Sequence, residues 1–100
     1  MATYVLLTKM SPDAIKDAKT YDELGRRVSE KIHRDCPEVR WISSFTTLGP
    51  YDYMDIFEAP DETAATRVAL IVRSLAHAST ETWLAMPYDR FIEMTREVAK

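Results

Sequence analysis

The sequence predicts an α+β domain: one antiparallel four-stranded sheet, two helices on one of its faces, and a helical tail. Three observations predict it. Two strand-like runs flank a Gly-Pro turn over residues 39–58. Further strand-like runs occur over residues 3–9 and 79–86. Two segments with apolar residues at helical spacing separate the mid-chain hairpin from these outer runs. A strand-helix-strand unit given twice closes into the ferredoxin-like βαββαβ arrangement, with the first and third strands in the centre.

In chain order, Tyr4, Val5, Leu6 and Leu7 are apolar on both faces of the first strand, as suits a central strand covered on both sides. Ser11-Pro12-Asp13 has the chemistry of a helix start, and a short helical turn is expected to about Ala18. Thr20 and Glu23 have capping-box spacing, so a helix is expected to begin afresh there and run to about Asp35. Its inner stripe is Tyr21, Leu24, Val28 and Ile32, with Gly25 on the stripe allowing a close approach. Cys36-Pro37 ends it.

β-branched and aromatic residues dominate both arms of the hairpin, and Gly49-Pro50 supplies the turn. Side chains alternate between faces along a strand. Parity therefore groups Trp41, Ser43, Phe45 and Thr47 in the first arm, and Tyr53, Asp55 and Phe57 in the second. With aliphatic Met54 and Ile56 assigned beneath the helices, the aromatic set falls on the uncovered face. Asp61 is the expected cap of the next helix, with Ala64, Val68, Ile71, Val72 and Leu75 facing inward. Ala65, Ala69, Leu70 and Ala76 widen its apolar arc, while Thr63, Arg67 and Ser74 face water. After the fourth strand Pro87 is a stop, and residues 88–100 form a tail helix with Phe91, Met94 and Val98 in register.

The chain has 100 residues, 46% of them apolar, which suits a single domain of residues 1–100 with a core at 1–86 and a tail at 87–100. A core of this size leaves room for help from a partner chain. Net charge is -3, which argues against nucleic acid as a partner. One cysteine, Cys36, rules out an intrachain disulfide and reads as a reduced thiol. The opening residues do not read as a signal peptide and no apolar run reaches membrane-span length, so a cytoplasmic protein is expected. The chain has two glycines, Gly25 and Gly49, too few for a glycine-rich phosphate loop.

Two helices leave the other sheet face bare. Its large aromatics would each bury on the order of 150–250 Å², at roughly 25 cal/mol per Å². A second copy laid face to face is the simplest cover, giving a homodimer or a higher oligomer.

The stretch T-L-G-P-Y-D-Y, the opening A-T-Y-V-L-L-T-K-M, the later E-A-P-D and the T-E-T of Thr80, Glu81 and Thr82 resemble the GYD-domain family, through Gly49, Tyr51 and Asp52. The likeness covers roughly residues 1–86. It implies a dimeric α+β barrel, in which ferredoxin-like sheets of two protomers close on each other. Relatives in that wider group include cofactor-independent monooxygenases, muconolactone isomerase-like enzymes and haem enzymes. The GYD family itself carries no generally assigned activity. Asp55 departs from its pattern, since a small or apolar residue is expected there.

Asp55 is the candidate catalytic residue. A carboxylate between aromatics on a covered face has a raised pKa and suits a general base. The alternative is a carboxylate satisfied by a hydroxyl or an arginine across the interface. Thr8, Trp41, Ser43, Phe45, Tyr51, Tyr53 and Phe57 are the candidate pocket residues, for a small apolar or aromatic ligand; Trp83 could join them. Plain interface packing by the aromatics is the competing reading. Asp52 is expected to accept backbone N–H bonds at the turn, with Tyr51 packed over the hairpin. His33 falls on the outer helix face and His77 at a helix C-terminus. Neither has a neighbouring ligand at metal-binding spacing, so no metal or cofactor is expected. A haem-binding reading lacks an inward histidine. Two functions follow: a small-molecule-binding homodimer capable of cofactor-free oxidation or isomerisation, or a non-catalytic assembly or regulatory module with a solid interior.

Overall fold

The computed structural model describes residues 1–13 and 17–100. Its elements are β1 (Ala2–Met10), α1 (Ala18–Asp35), β2 (Arg40–Thr46), β3 (Tyr53–Ala59), α2 (Glu62–Ala76), β4 (Ala78–Ala85) and α3 (Tyr88–Val98). The expected helical turn before Ala18 falls on residues 14–16, outside the described residues. The sheet is antiparallel in the order β2-β3-β1-β4, with β1 and β3 central as the ferredoxin-like pattern requires.

Both core helices start on an aspartate. Asp17, not Thr20, caps α1: its Oδ1 accepts from the Thr20 backbone N–H at 3.1 Å and from the Thr20 hydroxyl at 3.0 Å. A carboxylate accepts both donors and meets the positive end of the helix dipole, so Thr20 becomes a donor inside the first turn. Asp61 caps α2 through the Ala64 N–H at 2.9 Å. At the other end of α2, His77 closes the helix in the left-handed region, at φ 50°.

The core lies between the sheet and the helices. It is built from Tyr4, Leu6, Phe57 and Ala59 on the strands and from Ile32, Val68, Ile71 and Val72 on the helices. Among the residues assigned to the widening arc of α2, Ala65, Ala69 and Ala76 are buried, whereas Leu70 stands exposed.

This core reverses the face assignment made from the sequence. Tyr4 pairs with Phe57, and both point under the helices with Leu6, Asp55, Thr8 and Tyr53, which follow in register. Met54 and Ile56 therefore point away, paired with Leu7 and Val5. Two physical features misled the parity argument. Both parities of β3 carry large apolar side chains, so hydrophobicity alone did not choose between them. In β2 a bulge between Trp41 and Ser43 inserts one residue, so Trp41 opposes Phe57, and Ser44 rather than Ser43 opposes Asp55. The bulge splits the expected set: Trp41 goes under the helices, Ser43 and Phe45 to the far side.

The far face carries Val5, Leu7, Phe45, Met54, Ile56, Glu81 and Trp83. Phe45 is 49% exposed and Trp83 is 52% exposed. Among the described residues, no other element covers them: α3 has no Cα within 8 Å of another element's Cα. The result is an elongated molecule of 57 × 30 × 17 Å, with a radius of gyration of 15.5 Å, against about 13 Å for a compact chain of this length.

Candidate functional site

α1 rests on α2 and stands off the sheet, with no Cα within 8 Å of a strand Cα. The gap is a cavity of about 620 Å³, within the range of small-molecule sites. Its sheet wall is Thr8 from β1, Tyr53 and Asp55 from β3, and Trp41 and Ser44 from β2. Its helix wall is Leu24, Gly25, Val28 and Ile32 from α1, closed at one side by Val72 and Ala76 of α2. Sequence explains the stand-off. The inner stripe of α1 carries Gly25 where a larger side chain would reach the sheet, and a Cβ placed there meets no atom within 4 Å. The close approach expected at Gly25 does not occur; the space is the cavity.

Asp55 is part-buried in this wall. Burial raises its carboxyl above the ordinary aspartate range, and the neighbouring Ser44 hydroxyl works against that rise. Ser44 Oγ in turn accepts from the Trp41 indole N–H at 2.7 Å. Ser44 stands directly across the β2–β3 pairing from Asp55. Thr8 is 3% exposed, and its hydroxyl has no hydrogen-bond partner among the described residues. Burial also raises the Tyr53 phenol, with Tyr21, Asp52 and Asp55 adding to it. Cys36 lies in the wall and is 1% exposed; burial and the neighbouring Glu38 push its thiol up, away from the reactive thiolate. Chemically, the site offers one part-buried carboxylate and, in Thr8, a fully buried hydroxyl without a partner among the described residues, in aromatic and aliphatic walls. Such a carboxylate can accept a proton or hold a cation.

Four of the residues singled out from sequence meet here: Thr8, Trp41, Tyr53 and Asp55. Their common face is the helix-covered one, inside a single chain, and not the face expected to close a barrel between two copies. Ser43 and Phe45 lie on the opposite face. Phe57 is fully buried between two rings, stacked on Tyr4 at 5.7 Å and on Trp41 at 5.4 Å, and does not reach the cavity. Sequence reasoning missed Ser44, because the bulge that turns it inward leaves no compositional mark. It also placed His33 in solvent; His33 is exposed but borders the cavity. Its place four residues after Ser29, another wall residue, was the available signal.

Tyr51 and Asp52 do something else. Asp52 latches the hairpin to the end of β1: its Oδ2 accepts from the Met10 N–H at 2.7 Å, and its own N–H donates to the Thr8 carbonyl at 2.8 Å. The Tyr51 hydroxyl donates to Glu81 Oε2, and the Trp83 indole donates to Glu81 Oε1 at 3.1 Å. These two hydrogen bonds hold the Glu81 carboxyl below its ordinary range, and the bond to Glu81 raises the Tyr51 phenol. The turn and β4 are thus tied together across the bare face.

Among the described residues, no group of three or more His, Cys, Asp or Glu is placed to hold a metal ion, and no helix is long and apolar enough to cross a membrane. The chain is similar to the glutamine synthetase and cystathionine beta-lyase binding protein of Thermus thermophilus. The two are 29% identical over 87 residues, covering 87% of this chain and 90% of that protein. Among solved structures, a de novo designed protein with a ferredoxin fold superposes with a TM-score of 0.55 at 16% identity, over 87% of this chain and 88% of that one. The leucine response regulatory protein LrpA of Mycobacterium tuberculosis superposes with a TM-score of 0.57 at 12% identity, over 86% of this chain; the chain spans about half of that protein, 51%. Ribosomal protein S6 of Thermotoga maritima gives 0.52 at 12% identity, over 99% of this chain and 98% of its own. At these identities the likeness is one of fold. The GYD domain profile matches residues 4–95, running past Met86 into α3, so the chain belongs to the GYD domain family.

Proposed function

We propose that the protein is a non-catalytic binding module that pairs with a second copy of itself through the bare sheet face and docks on other proteins. The observation that carries this reading is the face itself. Phe45 and Trp83 stand half-exposed on it, beside Met54 and Ile56, with no described element of their own chain above them. Exposed aromatic surface of this kind marks interaction sites.

Area supports a second copy. Four strands of about seven residues present a flat area of roughly 450 Å², short of the roughly 800 Å² per partner that stable interfaces bury. The projecting α3 has its own apolar stripe, with Phe91 at 52% and Met94 at 42% exposure, which supports a reading in which it supplies the remainder by lying against the partner. Docking on other proteins is supported by the Thermus relative, whose name describes binding to two enzymes.

Sedimentation across micromolar concentrations checks the first part. A dimer is expected for the native chain, and monomers for Trp83→Lys or Phe45→Glu. Surface plasmon resonance with purified glutamine synthetase and cystathionine beta-lyase from the same organism checks the second. Single chains at every concentration together with no response to either enzyme would remove the proposal.

A further inference from the structure

We infer that the cavity beneath α1 is a binding site for an organic amine with an apolar body, whose ammonium group sits between the Asp55 carboxylate and the Thr8 hydroxyl. The inference is independent of the bare face, which lies on the other side of the sheet.

The walls select the charge. Among the described residues, Asp55 is the only carboxylate on them; they carry no lysine or arginine, and their one imidazole, His33, is exposed at the border. An anionic ligand would meet a carboxylate with no fixed counter-ion, at a steep cost in a desolvated site. A cation is matched by Asp55 through a charge-assisted hydrogen bond, and by the faces of Trp41 and Tyr53, which attract cations as well.

The unpaired groups select the donor. Buried hydroxyls nearly always have a partner, and the rare exceptions ask for a cause. The Thr8 hydroxyl is buried, unpartnered among the described residues and on the cavity wall. Thr8 and Asp55 lie two strand positions apart on neighbouring strands, because Thr8 pairs with Tyr53. Such diagonal neighbours are roughly 7 Å apart, close enough for one ammonium group to reach both. Ser44 stands across the strand pair from Asp55 with its hydroxyl engaged by the Trp41 indole N–H, and the carboxylate faces the cavity with lone pairs for the ligand.

The remaining walls select the body. Leu24, Val28, Ile32 and Val72 are aliphatic, and the volume of about 620 Å³ admits a ring with a short side chain. A flat or branched apolar group replaces water there favourably, at roughly 25 cal/mol per Å².

Isothermal titration with phenethylamine, phenethyl alcohol and phenylacetate tests the charge, with amide NMR shifts locating the binding. Phenethylamine is expected to bind at least about tenfold more tightly than either companion, with shifts centred on Thr8, Trp41 and Asp55. Asp55→Asn is expected to abolish that preference, and Thr8→Val to weaken phenethylamine severalfold. Gly25→Leu, which fills the cavity from the helix side, is expected to block all three and serves if the Asp55 variant misfolds. Equal binding of the alcohol or the acid, full affinity in Asp55→Asn, or no binding of phenethylamine up to about 10 mM overturns the assignment.

Discussion

The Trp41 indole lies 5.4 Å from the Phe57 ring, the two planes 8° from parallel. Tyr4 stacks on the other side of Phe57 at 5.7 Å, so one row of rings crosses β1, β3 and β2 beneath the helices. This row sets the sheet's orientation, because it commits Asp55 and Tyr53 to the covered side. Phe57 is fully buried at its centre. Phe57→Ala is expected to cost about 3–5 kcal/mol, the range for emptying a buried aromatic site. Urea denaturation checks it: the midpoint should fall with little change in slope. A loss under about 1 kcal/mol would mean the ring is not the centre of the core.

Asp55 gives the clearest pH signature. Its folded-state pKa is raised by burial, whereas the unfolded chain titrates near about 3.9. The folded state therefore binds this proton more tightly than the unfolded state does. The stability linked to the group is fully present below the unfolded value and is lost as pH rises through the folded one. At neutral pH the ionised side chain is a liability of the fold. Asp55→Asn should raise Tm at pH 7, and the gain should shrink to nothing below about pH 4. Thermal melts of both proteins across this range read the difference directly. A variant less stable at pH 7 would show that the neighbouring Ser44 hydroxyl outweighs desolvation.

Gly25 predicts a gain of another kind. It sits inside α1, and a Cβ there meets no atom within 4 Å. Gly25→Ala should stabilise the protein by roughly 0.5–1 kcal/mol, through helix propensity and a less mobile unfolded chain. Chemical denaturation is sufficient to see it. Destabilisation would mean that α1 sits closer to the sheet in solution and that the cavity is smaller.

The architecture was legible because each element carries its own local signal. The period-two runs gave the strands, Asp61 the start of α2, and Cys36-Pro37 the end of α1. Asp55, Trp41, Tyr53 and Thr8 were also legible as a group, since strand parity places like with like. What sequence did not yield was the face they share. That depends on which of two apolar sets in β3 is the larger partner of β1, and on a bulge in β2 that no turn residue announces. The capping of α1 was misread for a related reason: Asp17 and Thr20 are both good caps, and only the three-dimensional start of the helix decides between them.

The family's signature residues make the last prediction. Asp52 ties the turn to two segments with three bonds, taking the Met10 N–H and donating to the Thr8 carbonyl in β1, and accepting from the Thr47 N–H through its own carbonyl at 3.0 Å. Only the first of these uses the side chain, and it is a hydrogen bond to a charged acceptor, worth about 1.5–3 kcal/mol where well sheltered. Asp52 is exposed, which reduces that figure. Asp52→Ala should therefore destabilise by about 1 kcal/mol, lowering Tm by roughly 4–8 °C. Tyr51→Phe removes only an exposed bond to Glu81 and should cost less. Hydrogen exchange separates a local latch from a general loss of stability: in Asp52→Ala the Met10 amide should lose protection well beyond its neighbours in β1. If protection fell evenly along the strand, the signature aspartate would be supporting the whole sheet rather than pinning one turn.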